Sequence, residues 1–224
     1  MEKYINVLVT GGAGFIGSAL CNYLILNTKF KLIILDKLTY ASDLNSIKKI
    51  LENPRVVFIK GSIGDDDLLT QILNKYFPTY IFNLAAETHV DNSINEPHLF
   101  VETNILETHK LFNCCLKYFK KLDKQKGSKF KFLHVSTDEV YGDIEAHASP
   151  VKENSPYKPS SPYSSSKASA DLILKSYYRT YGFPGIITNC SNNYGPFQNK
   201  EKFIPMILKS ILMNKKITVY GNGN

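Results

Sequence analysis

The sequence has no tryptophan, only four cysteines and no long apolar run. The cysteines form no Cys-x-x-Cys pair and the five histidines are scattered, so we predict neither a disulfide framework nor a metal site. No apolar stretch approaches the roughly 20 residues that a membrane span requires. The first residues also lack the basic start, apolar stretch and cleavage site of a secretory signal. We therefore expect a cytoplasmic protein with no membrane segment.

Arginine is also scarce, although the formal net charge is +7. Nearly all basic residues are lysines, and Arg55 and Arg179 are the only arginines. The densest basic cluster lies between residues 117 and 131 and is not accompanied by a nucleic-acid reader motif, so a solvated surface explains it. We expect no nucleic-acid partner, although a modestly positive surface would help to attract a phosphorylated substrate.

The sequence does contain a regular alternation of short apolar runs with longer amphipathic ones. The runs 32–35 and 56–59 carry no polar face, which is typical of strands covered by helices on both sides. This alternation predicts repeated strand–helix units around a parallel sheet. The predicted strands are 5–10, 31–36, 56–61, 79–84, 130–136 and 184–190. The predicted helices are 15–27, 43–52, 65–76, 96–121, 163–181 and 201–213.

A glycine-rich turn follows the first predicted strand. Gly11, Gly14 and Gly17 lie between that strand and an amphipathic helix. Glycines at this spacing permit a tight turn, a close approach of the backbone to a pyrophosphate, and close packing of helix on sheet. The phosphates then lie at the helix N-terminus, where free N–H groups favour negative charge. The turn predicts a dinucleotide-binding α/β domain with a Rossmann-type, doubly wound parallel sheet and helices on both faces.

An acidic residue ends the second predicted strand. Asp36 follows the last glycine by about 20 residues, the spacing at which a carboxylate accepts hydrogen bonds from the adenosine ribose hydroxyls. Because a carboxylate there repels a 2′-phosphate, we predict NAD as the cofactor in preference to NADP. Lys37, which follows immediately, weakens that preference slightly.

A tyrosine and a lysine lie four residues apart on a predicted helix. Tyr163 and Lys167 therefore project from one helix face. A free tyrosine has a pKa of about 10, which is too high for a base at neutral pH. We expect the nearby ammonium and the positive nicotinamide ring to lower the pKa of Tyr163, so that it accepts a hydroxyl proton while hydride leaves the same carbon. This spacing alone is weak evidence for a catalytic pair, but it becomes useful evidence in a chain that also carries a dinucleotide-binding turn.

A hydroxyl and two carboxylates follow the fifth predicted strand. Thr137, Asp138 and Glu139 lie at its carboxyl end, the edge at which open α/β sheets bind ligands. Adjacent carboxylates there suit a proton-transfer pair. The alternative is a polar turn or helix start, in which Thr137 and Asp138 cap backbone N–H groups.

Together these motifs resemble those of the extended short-chain dehydrogenase/reductases, and in particular their nucleotide-sugar 4,6-dehydratase branch. The segment 136–142 is the most specific part, because related epimerases and decarboxylases usually carry other residues at the positions of Asp138 and Glu139. Further matching segments show that the resemblance covers essentially the whole chain: 36–41, 84–91, 160–163 and 189–196.

The resemblance implies an NAD-dependent hydro-lyase acting on a nucleotide sugar. Tyr163 would take the proton from the sugar 4-hydroxyl, with Thr137 hydrogen-bonded nearby, as hydride passes from C4 to NAD. Glu139 would then remove the C5 proton while Asp138 protonates the departing 6-hydroxyl, and the hydride would return to C6. The product is a 4-keto-6-deoxy sugar. The implied catalytic residues are Thr137, Asp138, Glu139, Tyr163 and Lys167.

The resemblance also implies binding residues. The segment 84–88 would line the nicotinamide half of the cleft, and Thr103 and Lys167 would hydrogen-bond the cofactor. The residues implied for the cofactor are Gly11, Gly14, Phe15, Ile16, Gly17, Asp36, Lys37, Thr39, Ser62, Ile63, Leu84, Ala85, Ala86, Thr88, Thr103, Tyr163 and Lys167. Those implied for the substrate are Thr88, Thr137, Asn192 and Lys202. A turn asparagine and a surface lysine are simpler interpretations of the last two.

Three positions depart from the family pattern. Ser62 stands where an aspartate next to the adenine is usual, Asn92 replaces a usual arginine, and Glu107 occupies a position where a small glycine is common. We expect these changes to affect cofactor affinity and local packing, whereas the proposed proton-transfer residues are all present.

The domain organisation and the oligomeric state are also inferred from the resemblance. Family members continue into a smaller domain that encloses the nucleotide half of the substrate. We interpret 1–224 as the NAD-binding domain with the start of the substrate-binding region at about 192–224, and expect the remainder of that lobe to be absent. Family members commonly pair through two long helices, so we expect a homodimer through helices 96–121 and 163–181.

Two other functions stay open. One is a sugar-nucleotide epimerase or decarboxylase of the same superfamily. The other is a truncated NAD-binding remnant, or an interaction module, that folds without turnover. The sequence also does not distinguish a thymidine from a uridine nucleotide, because the base-binding residues are expected largely in the absent lobe.

Overall fold

Six parallel strands form one sheet in the computed structural model, which describes residues 4–145, 147 and 149–217. The strands are β1 (Asn6–Thr10), β2 (Lys31–Asp36), β3 (Val56–Lys60), β4 (Tyr80–Asn83), β5 (Lys131–Thr137) and β6 (Gly185–Cys190). Their order is β3-β2-β1-β4-β5-β6, and every neighbouring pair is parallel. This confirms the predicted doubly wound sheet. The order reverses between β1 and β4, which is the point where such sheets bind ligands at the carboxyl ends of their strands.

Helices connect the strands. They are α1 (Phe15–Asn27), α2 (Lys48–Leu51), α3 (Asp66–Tyr76), α4 (Val90–Asn95), α5 (Pro97–Phe100), α6 (Thr108–Lys120), α7 (Lys124–Lys129), α8 (Pro162–Tyr181) and α9 (Phe203–Leu212). A π-helical segment, Val101–Glu107, joins α5 to α6, and short 3₁₀ turns occupy Leu44–Ser46 and Asp138–Tyr141.

The predicted strand boundaries are correct to within about one residue, whereas two predicted helices are interrupted. The helix predicted at 96–121 is divided by the π-helical segment, and that at 43–52 consists of a 3₁₀ turn and α2. The helices α4 and α7 were not predicted. Both are short and polar, so they lack the apolar periodicity from which a helix is predicted; a cap holds each start, His89 for α4 and Asp123 for α7.

The sheet carries a hydrophobic core on each face. Leu8, Ile33 and Leu35 pack on one side with α3 and α6, and Val7 and Ile34 pack on the other with α1 and α2. All five side chains are fully or almost fully buried. Alternate residues of the same strands therefore enter opposite cores, which explains why these strands have no polar face.

The described residues divide into two compact units, one up to Ser191 and one from Asn192 onward. The first contains the sheet and α1 to α8. The second contains α9, and a hydrogen bond from Gln198 Nε2 to the carbonyl of Asn193 (2.9 Å) stabilises the turn that precedes it. Within the described parts of the chain, no helix is both long and apolar enough to cross a membrane.

Candidate functional site

The glycine turn is shaped by two close approaches of the backbone. Gly11 has a φ of +68°, and a Cβ there would lie 2.6 Å from the amide nitrogen of Ala85. A Cβ on Gly17 would collide with the carbonyl oxygen of Gly11. Gly14 caps α1 with extended backbone and has no side chain to satisfy the free N–H groups of the first helical turn. The turn therefore presents backbone donors at a helix N-terminus, an arrangement that favours a phosphate.

Asp36 is fixed by the same turn. Its Oδ2 accepts a hydrogen bond from the Ala13 amide (2.8 Å), and its Oδ1 accepts from the Leu38 amide and the Ser42 hydroxyl, each at 2.8 Å. The side chain is almost fully buried, yet it borders an open cleft. The carboxylate is thereby held in one orientation next to the glycine turn. Ser42, which contributes to that orientation, was not predicted.

A cleft opens at the carboxyl edge of the sheet. Its lining includes most residues predicted for the cofactor: Gly11, Gly14, Asp36, Lys37, Thr39, Ser62, Ile63, Leu84, Ala85, Ala86 and Thr103. Among the described residues predicted for the cofactor, those outside the lining are Phe15, Ile16, Gly17, Thr88, Tyr163 and Lys167.

The lining also contains residues that the sequence analysis did not assign to the cofactor: Leu35, Ala41, Ser42, Gly61 and Glu107. Gly61 could have been found, since it follows β3 as Gly11 follows β1, at the edge where all the parallel strands end. Glu107 could not, because it enters the cleft from a helical segment distant in sequence. It was noted only as a departure from the family pattern.

Asn104 ties the wall of the cleft to α8. Its Oδ1 accepts a hydrogen bond from the Glu87 amide, and its Nδ2 donates to the Glu87 carbonyl and to the Ser166 hydroxyl, all at 2.9 Å. The side chain is buried in the π-helical segment. The loop after β4 is thus fixed to the helix that carries Tyr163. The sequence gives no signal for this clamp, because a mid-helix asparagine is usually exposed.

The predicted catalytic residues meet at the end of β5. The Thr137 hydroxyl accepts a hydrogen bond from the Glu139 amide (3.2 Å), donates to Asp138 Oδ1 (3.3 Å), and shares a hydrogen bond with the hydroxyl of Tyr163. Thr137 therefore does cap the 3₁₀ turn, as the alternative interpretation predicted. It also contacts Tyr163, so capping and a place in the site coexist.

The pKa of Tyr163 is raised by the protein alone, so the protein's own groups do not provide the expected lowering. Burial, followed by the negative charge of Glu139, raises the pKa of this phenol well above its usual range, while the hydrogen bond with Thr137 acts in the opposite direction. Lys167 is not among the main influences on this phenol, and its Nζ donates a hydrogen bond to the carbonyl of Val135 at 2.8 Å. An additional positive charge next to the phenol would favour its ionisation.

Lys167 is buried near Asp171, an acidic residue of α8 that was not predicted. Burial lowers the pKa of Lys167 to about 8, and the negative charge of Asp171 acts to raise it. Asp171 Oδ2 accepts hydrogen bonds from the hydroxyls of Ser136 (2.7 Å) and Tyr157 (3.1 Å). The available signal was the i, i+4, i+8 spacing of Tyr163, Lys167 and Asp171, which continues the same helix face.

The two remaining predicted substrate residues belong to the second unit. Asn192 begins that unit, and Lys202 precedes the first residue of α9, where its carbonyl accepts a hydrogen bond from the Met206 amide (2.9 Å). Their role toward a substrate stays a prediction.

Known proteins are similar to this chain in sequence and in fold. A family model described as GDP-mannose 4,6 dehydratase matches residues 8–224. The dTDP-glucose 4,6-dehydratase of Haemophilus influenzae is 47% identical over 219 residues, which are 98% of this chain and 65% of that protein.

Two solved structures are similar as well. DesIV, a dTDP-glucose 4,6-dehydratase from Streptomyces venezuelae solved with NAD bound, has a TM-score of 0.89 and 39% identity, over 98% of this chain and 66% of that one. The UDP-glucose 4-epimerase of Thermotoga maritima has a TM-score of 0.84 and 29% identity, over 98% of this chain and 67% of that one. The chain therefore spans less than two-thirds of the length of the Haemophilus influenzae relative and of DesIV.

Proposed function

Because the chain belongs to the GDP-mannose 4,6-dehydratase family, we propose that it acts in the NAD-dependent 4,6-dehydration of a nucleotide sugar, with dTDP-glucose as the substrate. The observation that carries this proposal is the cluster at the end of β5, where Thr137 contacts Tyr163 and precedes Asp138 and Glu139. A hydroxyl base and two carboxylates are the groups that this reaction requires. In this proposal the first unit binds the cofactor, and the residues from 192 onward belong to the substrate side.

The residues of the cleft fit NAD. The backbone at Gly11 and Gly17 leaves no room for a Cβ, so the turn is tight, and Gly11 and Gly14 line the cleft beside the N-terminus of α1. The adjacent Asp36 carboxylate, held by the Ala13 and Leu38 amides, would accept hydrogen bonds from the ribose hydroxyls. When bound, NAD supplies a hydride acceptor and donor together with a positive charge. That charge is of the sign needed to favour the ionised form of Tyr163, which the protein alone disfavours.

The protein's own residues would move three protons. Tyr163 removes the proton of the sugar 4-hydroxyl, with its phenol oriented by Thr137. The resulting 4-ketone acidifies C5, and Glu139 removes the C5 proton. Asp138 donates a proton to the 6-hydroxyl, which leaves as water. Lys167 lies on the same face of α8 as Tyr163. Its ammonium donates a hydrogen bond to the Val135 carbonyl and contributes positive charge.

The deciding experiment is turnover of dTDP-glucose by the purified 224-residue chain with NAD. A 4-keto-6-deoxy product, detected by its absorbance in alkali, supports the proposal. A 4-epimer or a pentose instead identifies an epimerase or a decarboxylase, and NAD binding without turnover at high substrate identifies a binding protein. The variant Glu139→Gln should oxidise C4 yet release no water. If it dehydrates normally, Glu139 is not the base.

We also propose a homodimer through the π-helical segment, α6 and α8. The π-helical segment exposes Val101 and Leu106, and α8 exposes Leu172 and Tyr178. All four are large side chains that are about half exposed or more. Apolar exposure on both helices is what a helical dimer interface would cover. Leu172→Glu should shift the mass measured by light scattering from dimer to monomer. Leu26→Glu, on the exposed face of α1, is the matched control and should leave the mass unchanged.

A further inference from the structure

An ion pair lies in the wall of the cofactor cleft. Lys37 Nζ is 3.2 Å from Glu107 Oε1, and both residues line the cleft. Lys37 follows the ribose-directed Asp36 directly, whereas Glu107 ends the π-helical segment, 70 positions from Lys37 along the chain. The fold therefore places a carboxylate from a distant helix against the cation beside the ribose position.

The side chain of Glu107 is held in this wall by packing. Its side chain is only 14% exposed, compared with 51% for Lys37. A Cβ on Gly64 would lie 2.7 Å from Glu107 Cγ, so the stem of the glutamate occupies space that any other residue at position 64 would fill. Lys110 Nζ in turn donates to the Gly64 carbonyl (3.1 Å). Packing thus limits where the carboxylate can move, while the more exposed lysine adapts to it.

The pair changes the charge that a ligand meets at this end of the cleft. Among the described residues that line it, Lys37 is the one basic side chain, whereas Asp36, Glu87 and Glu107 are acidic. An unpaired ammonium beside Asp36 would attract a 2′-phosphate. With Glu107 in contact, that ammonium is neutralised and the local charge is net negative.

We propose that Glu107 is a specificity-determining residue that makes the cleft reject a 2′-phosphorylated dinucleotide by occupying the ammonium of Lys37. The proposal rests on the proposed function, because it assumes that the adenosine ribose lies at Asp36. It adds that Asp36 alone does not set the preference for NAD over NADP.

The test is binding rather than turnover, with NAD⁺ and NADP⁺ titrated separately into the purified chain by calorimetry. Glu107→Gln keeps the shape and frees the ammonium, so NADP⁺ should bind about tenfold more tightly, equivalent to about 1.4 kcal/mol, while the affinity for NAD⁺ changes less than about twofold. The gain should shrink in high salt because Lys37 is half exposed. Lys37→Met should act in the opposite direction and weaken NADP⁺ binding further.

Glu102→Gln is the matched control, since Glu102 is an exposed glutamate of the same π-helical segment and lies outside the cleft lining. It should change neither affinity. If Glu107→Gln binds NAD⁺ normally and the NAD⁺ to NADP⁺ ratio is unchanged, the role of Glu107 is overturned and the proposed function stands. If the unmodified chain binds no NAD⁺, the proposed function fails first and the inference fails with it. Should Glu107→Gln not fold, Glu107→Ala, which also frees the ammonium, is titrated in its place, and an unchanged ratio overturns the inference.

Discussion

His134 and Asp171 face each other in the interior of the first unit, with Nε2 of the imidazole 3.7 Å from Oδ1 of the carboxylate. Both atoms are buried, and neither has a hydrogen-bond partner among the described residues. The other ring nitrogen of His134 is 3.0 Å from Nδ2 of Asn83, which has only protons to offer. The imidazole is therefore neutral, with its proton on Nε2 directed at Asp171.

This arrangement predicts a pH dependence of stability. Burial, and then the charge of Lys167, hold the pKa of His134 well below 6.5. Below pH 6.5, His134 therefore binds a proton in the unfolded chain but stays neutral in the folded protein, so acid favours unfolding. The free energy of unfolding should fall by up to about 1.4 kcal/mol per pH unit as the pH is lowered from about 6.5. Urea titrations at several pH values measure this slope.

The variant His134→Gln tests this prediction, and His98→Gln is its control. The first should lower stability overall yet remove most of the slope just below pH 6.5, because the titrating group is gone. His98 is exposed on α5, so its replacement should leave the slope as it is. A slope that persists in His134→Gln would contradict the assignment.

A second prediction concerns the charge of Lys167. Its pKa is lowered to about 8 by burial, against the opposing effect of Asp171. If the ammonium is needed, kcat/KM should fall as the pH rises through about 8 in the free protein. Asp171→Asn removes the charge that supports the ammonium, so the same decline should begin at lower pH. Asp123→Asn, on the exposed start of α7, is the control. An identical pH profile for Asp171→Asn and the control would refute the coupling.

The glycine turn should not tolerate a methyl group. Gly11→Ala places a Cβ 2.6 Å from the backbone of Ala85 at a φ of +68°, so we expect loss of more than about 2 kcal/mol of stability and loss of NAD binding. Gly127→Ala in α7 meets only Phe119, at 3.8 Å, and should stabilise the helix by up to about 1 kcal/mol. Thermal melts with and without NAD distinguish the two variants. Equal melting behaviour would mean that the turn adapts.

The Asn104 clamp predicts a larger effect than a surface asparagine. Asn104→Ala leaves the amide and carbonyl of Glu87 and the hydroxyl of Ser166 without this partner, which costs about 1–3 kcal/mol per buried group left unsatisfied. Affinity for NAD should also fall, because Glu87 lines the cleft. Asn27→Ala removes only one exposed hydrogen bond, to the Tyr23 carbonyl, and should change little. Denaturant midpoints and NAD titrations measure both effects, and an Asn104→Ala variant as stable as Asn27→Ala would show that the clamp is dispensable.

The sequence by itself determined the features that depend on near neighbours. Apolar runs predicted six strands and their parallel arrangement, since a strand between two helical layers has no polar face. The glycines at 11, 14 and 17 predicted the turn, because the conformation that they permit is local. The four-residue spacing of Tyr163 and Lys167 likewise predicted that they share a face of α8.

Only the tertiary structure decided the interactions that join distant segments. The Lys37–Glu107 pair, the Asn104 clamp and the contact of His134 with Asp171 each depend on how helices pack on the sheet, which no spacing in the sequence encodes. The raised pKa of Tyr163 in the protein alone is a further case. The sequence shows which charges are near along the chain, whereas burial and the orientation of Lys167 toward Val135 decide which of them act on the phenol.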